Sequence, residues 1–427
     1  MTSSSRPPIT QFSRPPLTEA ERAELTEEFI RRAQALVPVL REHAAESEQQ
    51  RSVSSEVIKA AEEADLFRIL VPRVWGGHGL DLRALAHVAR VLAHGDVSSS
   101  WVICFLIEHA WMAAHMPMKT QNEVFAGGNV VLAAAPLQPG GATAVRVEGG
   151  WELTGTWRYA SGMPNSTHAF VTCLHDDDGT ITSWSFLVPA TDVTDHDDWF
   201  MAGAAATGSV TLSGERVFVP EHRAIETPVF HSGNHHPGAV HEDAIMRYPL
   251  LSSLAVMEAA FAVGAAERAV ELFTERIRSV AVYGVKRIDM VAARTRWLEV
   301  NQKTKIARLL LDVMTERTWR KGEALEDWTD EENGEQAYDR ITIAHTAKDA
   351  VRLVADGSGS SAYQLDNPIQ RYLRDVSVIA NHVGHDWDST TERAGRWMLG
   401  LGRNATDPFP QLPILRDPTT GEPVRPS

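Results

Sequence analysis

Two cysteines, Cys104 and Cys173, are all that 427 residues contain. They lie far apart, with no CxxC and no Cys/His spacing of a zinc site, which excludes a disulfide scaffold and a zinc module and suits a reducing cytoplasm. Basic charge is also short: 41 Lys and Arg stand against 56 Asp and Glu, a formal net charge of −15. Neither a nucleic-acid backbone nor an anionic membrane surface is a natural partner for such a chain. No run of about 18 apolar residues is evident, so no membrane span is expected. The opening stretch MTSSSRPPITQFSRPPL has no apolar core and reads as a loose polar arm rather than a targeting segment. No internal repeat is visible. What remains is a cytoplasmic protein with a small-molecule partner and no metal site.

The texture of the chain changes twice. After a flexible arm (1–17), residues 18–128 read as a helical domain. Thr18 followed by Glu21 forms a capping box. Helices are expected at Thr18–Glu48, Ser54–Ala64, Asp81–His94, Ser98–His115 and Lys119–Phe125. From 129 to 226 short β-branched runs such as TAVRVEG, WELTGTWRYA, AFVTCL and GSVTLSG alternate with Gly, Pro and Asp, which marks a β domain, barrel or sandwich. A loop (227–245) carries His231, His235, His236 and His241. Its spacing matches no standard metal motif, and a mobile loop or lid is the preferred reading. Residues 246–403 return to long helices, expected at Tyr248–Arg278, Asp289–Lys321, Asn333–Ala355, Ser361–Gly384 and Asp388–Leu399, as in a four-helix bundle. A proline-rich tail (404–427) follows. The class is mainly α with a central β domain.

The stretch Asn367–His385, NPIQRYLRDVSVIANHVGH, concentrates the most chemistry. Arg371 and Arg374 share a helix face, Tyr372, Val376 and Ile379 make a buried stripe, and His382 and His385 follow. This layout delivers an imidazole to a pocket from a rigid helix, or it is a buried helix with satisfied histidines. The residues alone leave both open.

Five motifs in one order carry a resemblance. They are PRVWGGHGL (72–80), ATAVRVEGG (142–150), GGWELTGTWRYASG (149–162), DDWFMAGAAATGSVTLSGERVFVP (197–220) and RYLRDV (371–376). With the helix–sheet–helix order, the chain resembles the acyl-CoA dehydrogenase superfamily over roughly residues 20–400. The resemblance implies an N-terminal helical domain, a middle β-barrel or sandwich and a C-terminal four-helix bundle. Many dehydrogenases of the superfamily carry a catalytic glutamate nine residues after the motif arginine, and here that position is Val383. In others the base lies early in the first long C-terminal helix, near Leu251 here, with Glu258 close by. Valine cannot take a proton. The chain is more similar to the two-component flavin monooxygenases, whose histidine eight after the motif arginine matches His382. A second histidine of that branch, before the β domain, matches His109, and its hairpin serine matches Ser161. Ala134, Ala135 and Pro136 depart from the polar residue that some members carry.

That resemblance implies an oxygenase component which takes reduced FMN or FAD, with FMN favoured, from a separate NAD(P)H:flavin reductase. With O2 it would form a C4a-hydroperoxyflavin and hydroxylate a small phenolic or polycyclic aromatic substrate. His109, His382 and Ser161 are the catalytic candidates. Flavin contacts are expected at Trp157, Ser161, Gly162, Thr207, Gly208, Ser209, Gly357, Ser358, Gly359 and Arg371. Trp101, Phe105, His109, Trp111, Met112 and His382 would wall the substrate pocket. Each aromatic has a plainer reading as core, and Thr207 and Ser209 as strand-edge hydroxyls. The superfamily meets flavin across subunits near Gly357–Ser360, which implies a homotetramer. A dehydrogenase with a displaced base such as Glu258, oxygenation of nitrogen or sulfur on the same scaffold, and a non-catalytic flavin carrier are the alternatives.

Overall fold

The computed structural model describes residues 16–404, 407 and 412–423. The expected arm therefore lies almost wholly outside the described residues, as do residues 405, 406, 408–411 and 424–427 of the expected tail. Five helices open the chain: α1 (Glu19–Gln50), α2 (Ser55–Glu63), α3 (Leu82–Ala93), α4 (Val97–Ala113) and α5 (Met118–Phe125). The Thr18–Glu21 capping box starts α1, with the Thr18 N–H donating to Glu21 Oε2 at 2.8 Å. Asp96 caps α4 by accepting from the Ser99 N–H at 2.8 Å. Of the 17 residues of α4, 16 are buried, so it is a core helix with no solvent face.

Eight strands then form one sheet: β1 (Ala133–Ala134), β2 (Thr143–Val147), β3 (Gly150–Ala160), β4 (His168–Asp177), β5 (Thr180–Pro189), β6 (Thr194–Asp195), β7 (Val210–Pro220) and β8 (Ala224–Glu226). Their order is β6-β7-β3-β2-β4-β5-β8, with β1 parallel to β4. The inward residues of β3, β4, β5 and β7, among them Trp151, Leu153, Trp157, Val171, Phe186 and Leu212, share one apolar core. The β3–β7 register slips between Trp157 and Ala160, where Tyr159 adopts a left-handed φ of 66°. That bulge turns the end of β3, and the Ser161 hydroxyl beyond it meets Ser209 Oγ beside the start of β7 at 2.7 Å.

A short helix, α6 (Thr227–Phe230), opens the histidine-rich segment. His231, His236 and His241 are buried, and the His236 ring stacks on His115 at 3.8 Å. An exposed lid does not sit this way; the segment is packed against α4, and burial holds His236 neutral, well below its ordinary pKa.

The C-terminal block comprises α7 (Leu250–Ser279), the small hairpin β9 (Ala281–Val282) and β10 (Val285–Lys286), α8 (Val291–Ala324), α9 (Asp330–Ser358), α10 (Pro368–Ile379) and α11 (Trp387–Met398). By length and composition alone α7 could cross a bilayer. It instead packs between α3, α4, α8 and α9, which makes it the central core helix. The expected single helix over 361–384 is broken. Asn367 caps α10 and Pro368 occupies its first turn, so the helix starts late. It ends at Ile379, and His382 and His385 stand in the turns beyond it, with the His382 N–H bonded to Ile379 O at 3.0 Å.

Candidate active site

α4 supplies one wall. Trp101, Phe105, Glu108, His109 and Met112 recur at helical spacing on one stripe, and four of the five are fully or almost fully buried. Ring contacts join both candidate histidines through this stripe: His109–Phe105 at 5.3 Å, Phe105–Trp101 at 4.7 Å and Trp101–His382 at 5.3 Å. Phe261 of α7 closes the other side of Trp101 at 5.4 Å. Val383, the position that a dehydrogenase would fill with its base, is 66% exposed and points away.

His109 Nδ1 lies 2.5 Å from Ala133 O, and a carbonyl only accepts, so Nδ1 carries the ring proton and Nε2 is a free lone pair. Burial brings the His109 pKa down to about 4, the carbonyl bond opposing this only in part. At neutral pH it is therefore an uncharged acceptor.

A chain of hydroxyls runs along the sheet edge against α4. Thr207 Oγ1 donates to Ala204 O at 2.9 Å. Its single proton is then spent, so Ser209 donates to Thr207 at 2.6 Å and Ser161 donates to Ser209 at 2.7 Å. Ser161 is left with a free lone pair. Gly162, at φ 75°, donates its N–H to Thr207 O at 2.8 Å, and a Cβ there would sit 3.1 Å from Val102 Cγ1. Glycine is what lets this turn lie on the helix. The residues fit a reduced flavin, whose N5–H is a donor and needs an acceptor such as Ser161.

Several expected contacts are placed elsewhere. Trp157 is fully buried in the sheet core, and its indole N–H is committed to Thr172 O at 2.9 Å. Trp111 lies off the stripe, edge-on to His115 at 4.8 Å. Arg371 pairs with Glu48 of α1 at 2.8 Å, and Arg374 shares the same carboxylate and also donates to Ala202 O at 2.7 Å. The motif arginines thus tie α10 to α1 and to the turn before β7. Gly357 and Ser358 give their carbonyls to Arg287 and Arg276, each at 2.6 Å, and Gly359 follows at the end of α9. Two guanidiniums thus sit on the backbone of that turn.

Residue reasoning missed a polar knot beside His382. Glu258 of α7 lies 3.6 Å from His382 Nδ1, 3.8 Å from His385 Nε2 and 3.7 Å from Arg340 Nη1 of α9. Glu108 is fully buried and neither of its oxygens has a hydrogen-bond partner. Burial, and then the Glu258 carboxylate, hold its carboxyl well above the usual range, so it is a neutral acid. As the one acid in the apolar run SSSWVICFLIEHAWM it was visible in the sequence. Arg340 and His385 meet Glu258 only through tertiary packing.

The sequence matches the acyl-CoA dehydrogenase N-terminal domain over residues 21–122 and the C-terminal domain over residues 256–387. It is 30% identical over 380 residues to a pigment production hydroxylase of Rhodococcus sp. (strain ATCC 21145), covering 88% of this chain and 97% of the relative. It is 27% identical to the oxygenase component of an FADH2-dependent resorcinol hydroxylase of Rhizobium sp. (strain MTP-10005), covering 87% and 93%. Among solved structures, XiaF from Streptomyces sp., in complex with FADH2 and glycerol, superposes with a TM-score of 0.85 at 25% identity, covering 91% of this chain and 98% of that one. With the aromatic stripe, its two histidines and the hydroxyl chain in place, the chain belongs to the acyl-CoA dehydrogenase family, on the branch of the oxygenase components of two-component flavin-dependent monooxygenases.

Proposed function

We propose that this protein inserts one oxygen atom of O2 into a small aromatic substrate, phenolic or polycyclic, using reduced flavin delivered by a separate NAD(P)H:flavin reductase. The observation that carries this reading is the convergence on α4 of a lone-pair acceptor at Ser161, a neutral base at His109 and an aromatic wall reaching His382. Reduced flavin, when bound, would supply the two electrons that activate O2, one atom of which goes to the substrate and the other to water. Ser161 holds the N5–H. Trp101, Phe105 and Phe261 keep water from the reacting centre. His109 Nε2 and the His382 ring are the groups that take or hold a proton at the substrate hydroxyl or at the transferred oxygen.

FAD goes ahead of FMN, because the resorcinol hydroxylase relative and XiaF are named with FADH2. The Gly357–Gly359 turn, with Arg276 and Arg287, suits phosphate oxygens reaching in from a neighbouring subunit. A homotetramer fits the outer face of α8, where Val291, Leu298, Ile306, Leu309 and Val313 form one exposed apolar stripe.

The test mixes anaerobically reduced flavin and protein with oxygenated buffer in a stopped-flow cell. A transient absorbance distinct from both reduced and oxidised flavin is expected, followed by hydroxylated product when substrate is present. Direct return to the oxidised spectrum would sink the proposal.

A further inference from the structure

The hydroxyl chain at the sheet edge has two conceivable polarities, and its surroundings favour one. Thr207 and Ser209 are buried, so the protein rather than bulk water decides where their protons point. In one polarity Thr207 donates to Ala204 O at 2.9 Å, Ser209 to Thr207 at 2.6 Å and Ser161 to Ser209 at 2.7 Å. In the other, Thr207 donates to Ser209 and Ser209 to Ser161. That arrangement loses the bond to Ala204 O and leaves the Ser161 proton without an acceptor among the described residues. Ala204 O also accepts the Trp199 indole N–H at 3.0 Å and the Thr207 N–H at 3.2 Å, and the hydroxyl makes the shortest of the three contacts. The carbonyl is itself fixed: Ala204 has a left-handed φ of 52°, and its N–H is held by Asp375 Oδ1 at 2.8 Å.

Ser161 is the partly exposed end of the chain. A flavin presents different chemistry there in its two redox states. N5 of the reduced form carries a hydrogen and donates, whereas N5 of the oxidised form is a bare lone pair and accepts. With its own proton committed to Ser209, Ser161 meets a donor in the first case and another lone pair in the second. A hydrogen bond from Ser161 to oxidised flavin requires all three hydroxyls to turn over together, with loss of the bond to Ala204 O.

We propose that Thr207 sets the redox selectivity of the flavin site: by donating to Ala204 O it fixes Ser161 as an acceptor, so that the site holds reduced flavin and lets oxidised flavin go. This rests on the monooxygenase reading above and deepens it. Which redox state is used belongs to that reading; what Thr207 adds is the atomic basis of the choice. Thr207 lies two hydroxyls along the chain from the contact and acts through Ser209, so it is a positioning residue. One bond then serves both ends of a turnover, since the polarity that retains flavin on arrival favours its departure once oxidised.

The test titrates oxidised FAD, and photoreduced FAD under nitrogen, into the wild-type protein, Thr207→Val, Thr207→Ser and Ser209→Ala, and reads both dissociation constants from tryptophan fluorescence. Wild-type protein should hold the reduced form at least roughly 3- to 10-fold more tightly, the worth of the one bond that turnover of the chain loses. In Thr207→Val the anchor is gone, Ser209 turns its proton to Ser161, and Ser161 donates outward. Oxidised FAD should then bind more tightly than to wild type and reduced FAD more weakly, so that the ratio falls by roughly 10-fold. Thr207→Ser keeps the hydroxyl and should keep the wild-type ratio. Ser209→Ala frees Ser161 to turn either way, and should strengthen oxidised FAD with reduced FAD little changed. The gain for the oxidised form is decisive, because a variant that merely loosened the site would weaken both. Each tenfold change in the ratio also appears as about 30 mV in the two-electron potential of the bound flavin, which is raised in wild type and lowered by Thr207→Val. Equal affinities in wild type, tighter binding of oxidised FAD or binding of neither form overturns the proposal even if no variant folds. A folded Thr207→Val or Ser209→Ala with no gain for oxidised FAD overturns it as well. Failure of the monooxygenase reading shows separately, as redox-selective binding in a protein that gives no flavin transient with oxygen.

Discussion

Backbone carbonyls fix where the protons sit at Ser161 and His109. Because Thr207 must donate to Ala204 O, the hydroxyl chain has one direction and ends in an acceptor. Ser161→Ala removes that acceptor, and reduced flavin should bind about 5- to 10-fold more weakly, the worth of one neutral hydrogen bond, as fluorescence titration under nitrogen would read. His109 is held neutral by burial, with a pKa of about 4. Its basic form therefore persists above that value, and any loss of rate due to its protonation appears only as pH falls towards 4. His109→Ala should lower product formation roughly 10²- to 10⁴-fold while flavin stays bound, and single-turnover product yields would show it. The sequence singles out His109, Ser161 and His382 through their register in the motifs, and the structure joins His109 and His382 by one aromatic stripe. It misplaced Trp111 because helical spacing had to be taken with its direction: Trp111 turns to His115, off the stripe that His109 shares. Arg371 was misread because Glu48, its partner, lies more than 300 residues away in the chain.

α10 shows what an element does for the site. Asp375 accepts from Ser98 Oγ of α4 and from the Ala204 N–H, each at 2.8 Å, so one carboxyl pins the helix to α4 and to the turn that anchors the hydroxyl chain. Burial, and then the nearby Asp96, raise its pKa to about 7. The unfolded group titrates near 3.9. Between those values the folded state holds a proton that the unfolded chain releases, so this group costs stability as pH rises from about 4 to 7. Asp375→Asn should remove that slope, and urea midpoints at pH 5 and pH 7.5 should differ less in the variant, by the equivalent of roughly 2–4 kcal/mol. Most helices were legible to within a few residues, as the capping box at Thr18 and the apolar run of α4 illustrate. α10 was not, because a proline-led cap inside a continuous helical pattern decides its start. The buried histidine segment was read as mobile because its Gly and Pro content resembles a loop, whereas its rings are stacked into the core.

For the whole molecule, the apolar stripe on α8 asks for a partner. Replacing Leu298 and Leu309, 63% and 49% exposed, by glutamate should lower the mass seen by light scattering and weaken flavin binding together. A lower mass with flavin affinity intact would separate assembly from the site. The burial of α4 has a further consequence during synthesis. Its neighbour α7 begins at Leu250, a whole sheet later than Ala113, where α4 ends. At 5–20 residues per second the ribosome takes roughly 7 to 27 seconds to cover that distance. For that interval the nascent chain carries an apolar helix covered by α3 but not yet by α7, so a chain halted before Leu250 should be found in the insoluble fraction, and yield in cells should follow the supply of chaperones that hold such segments.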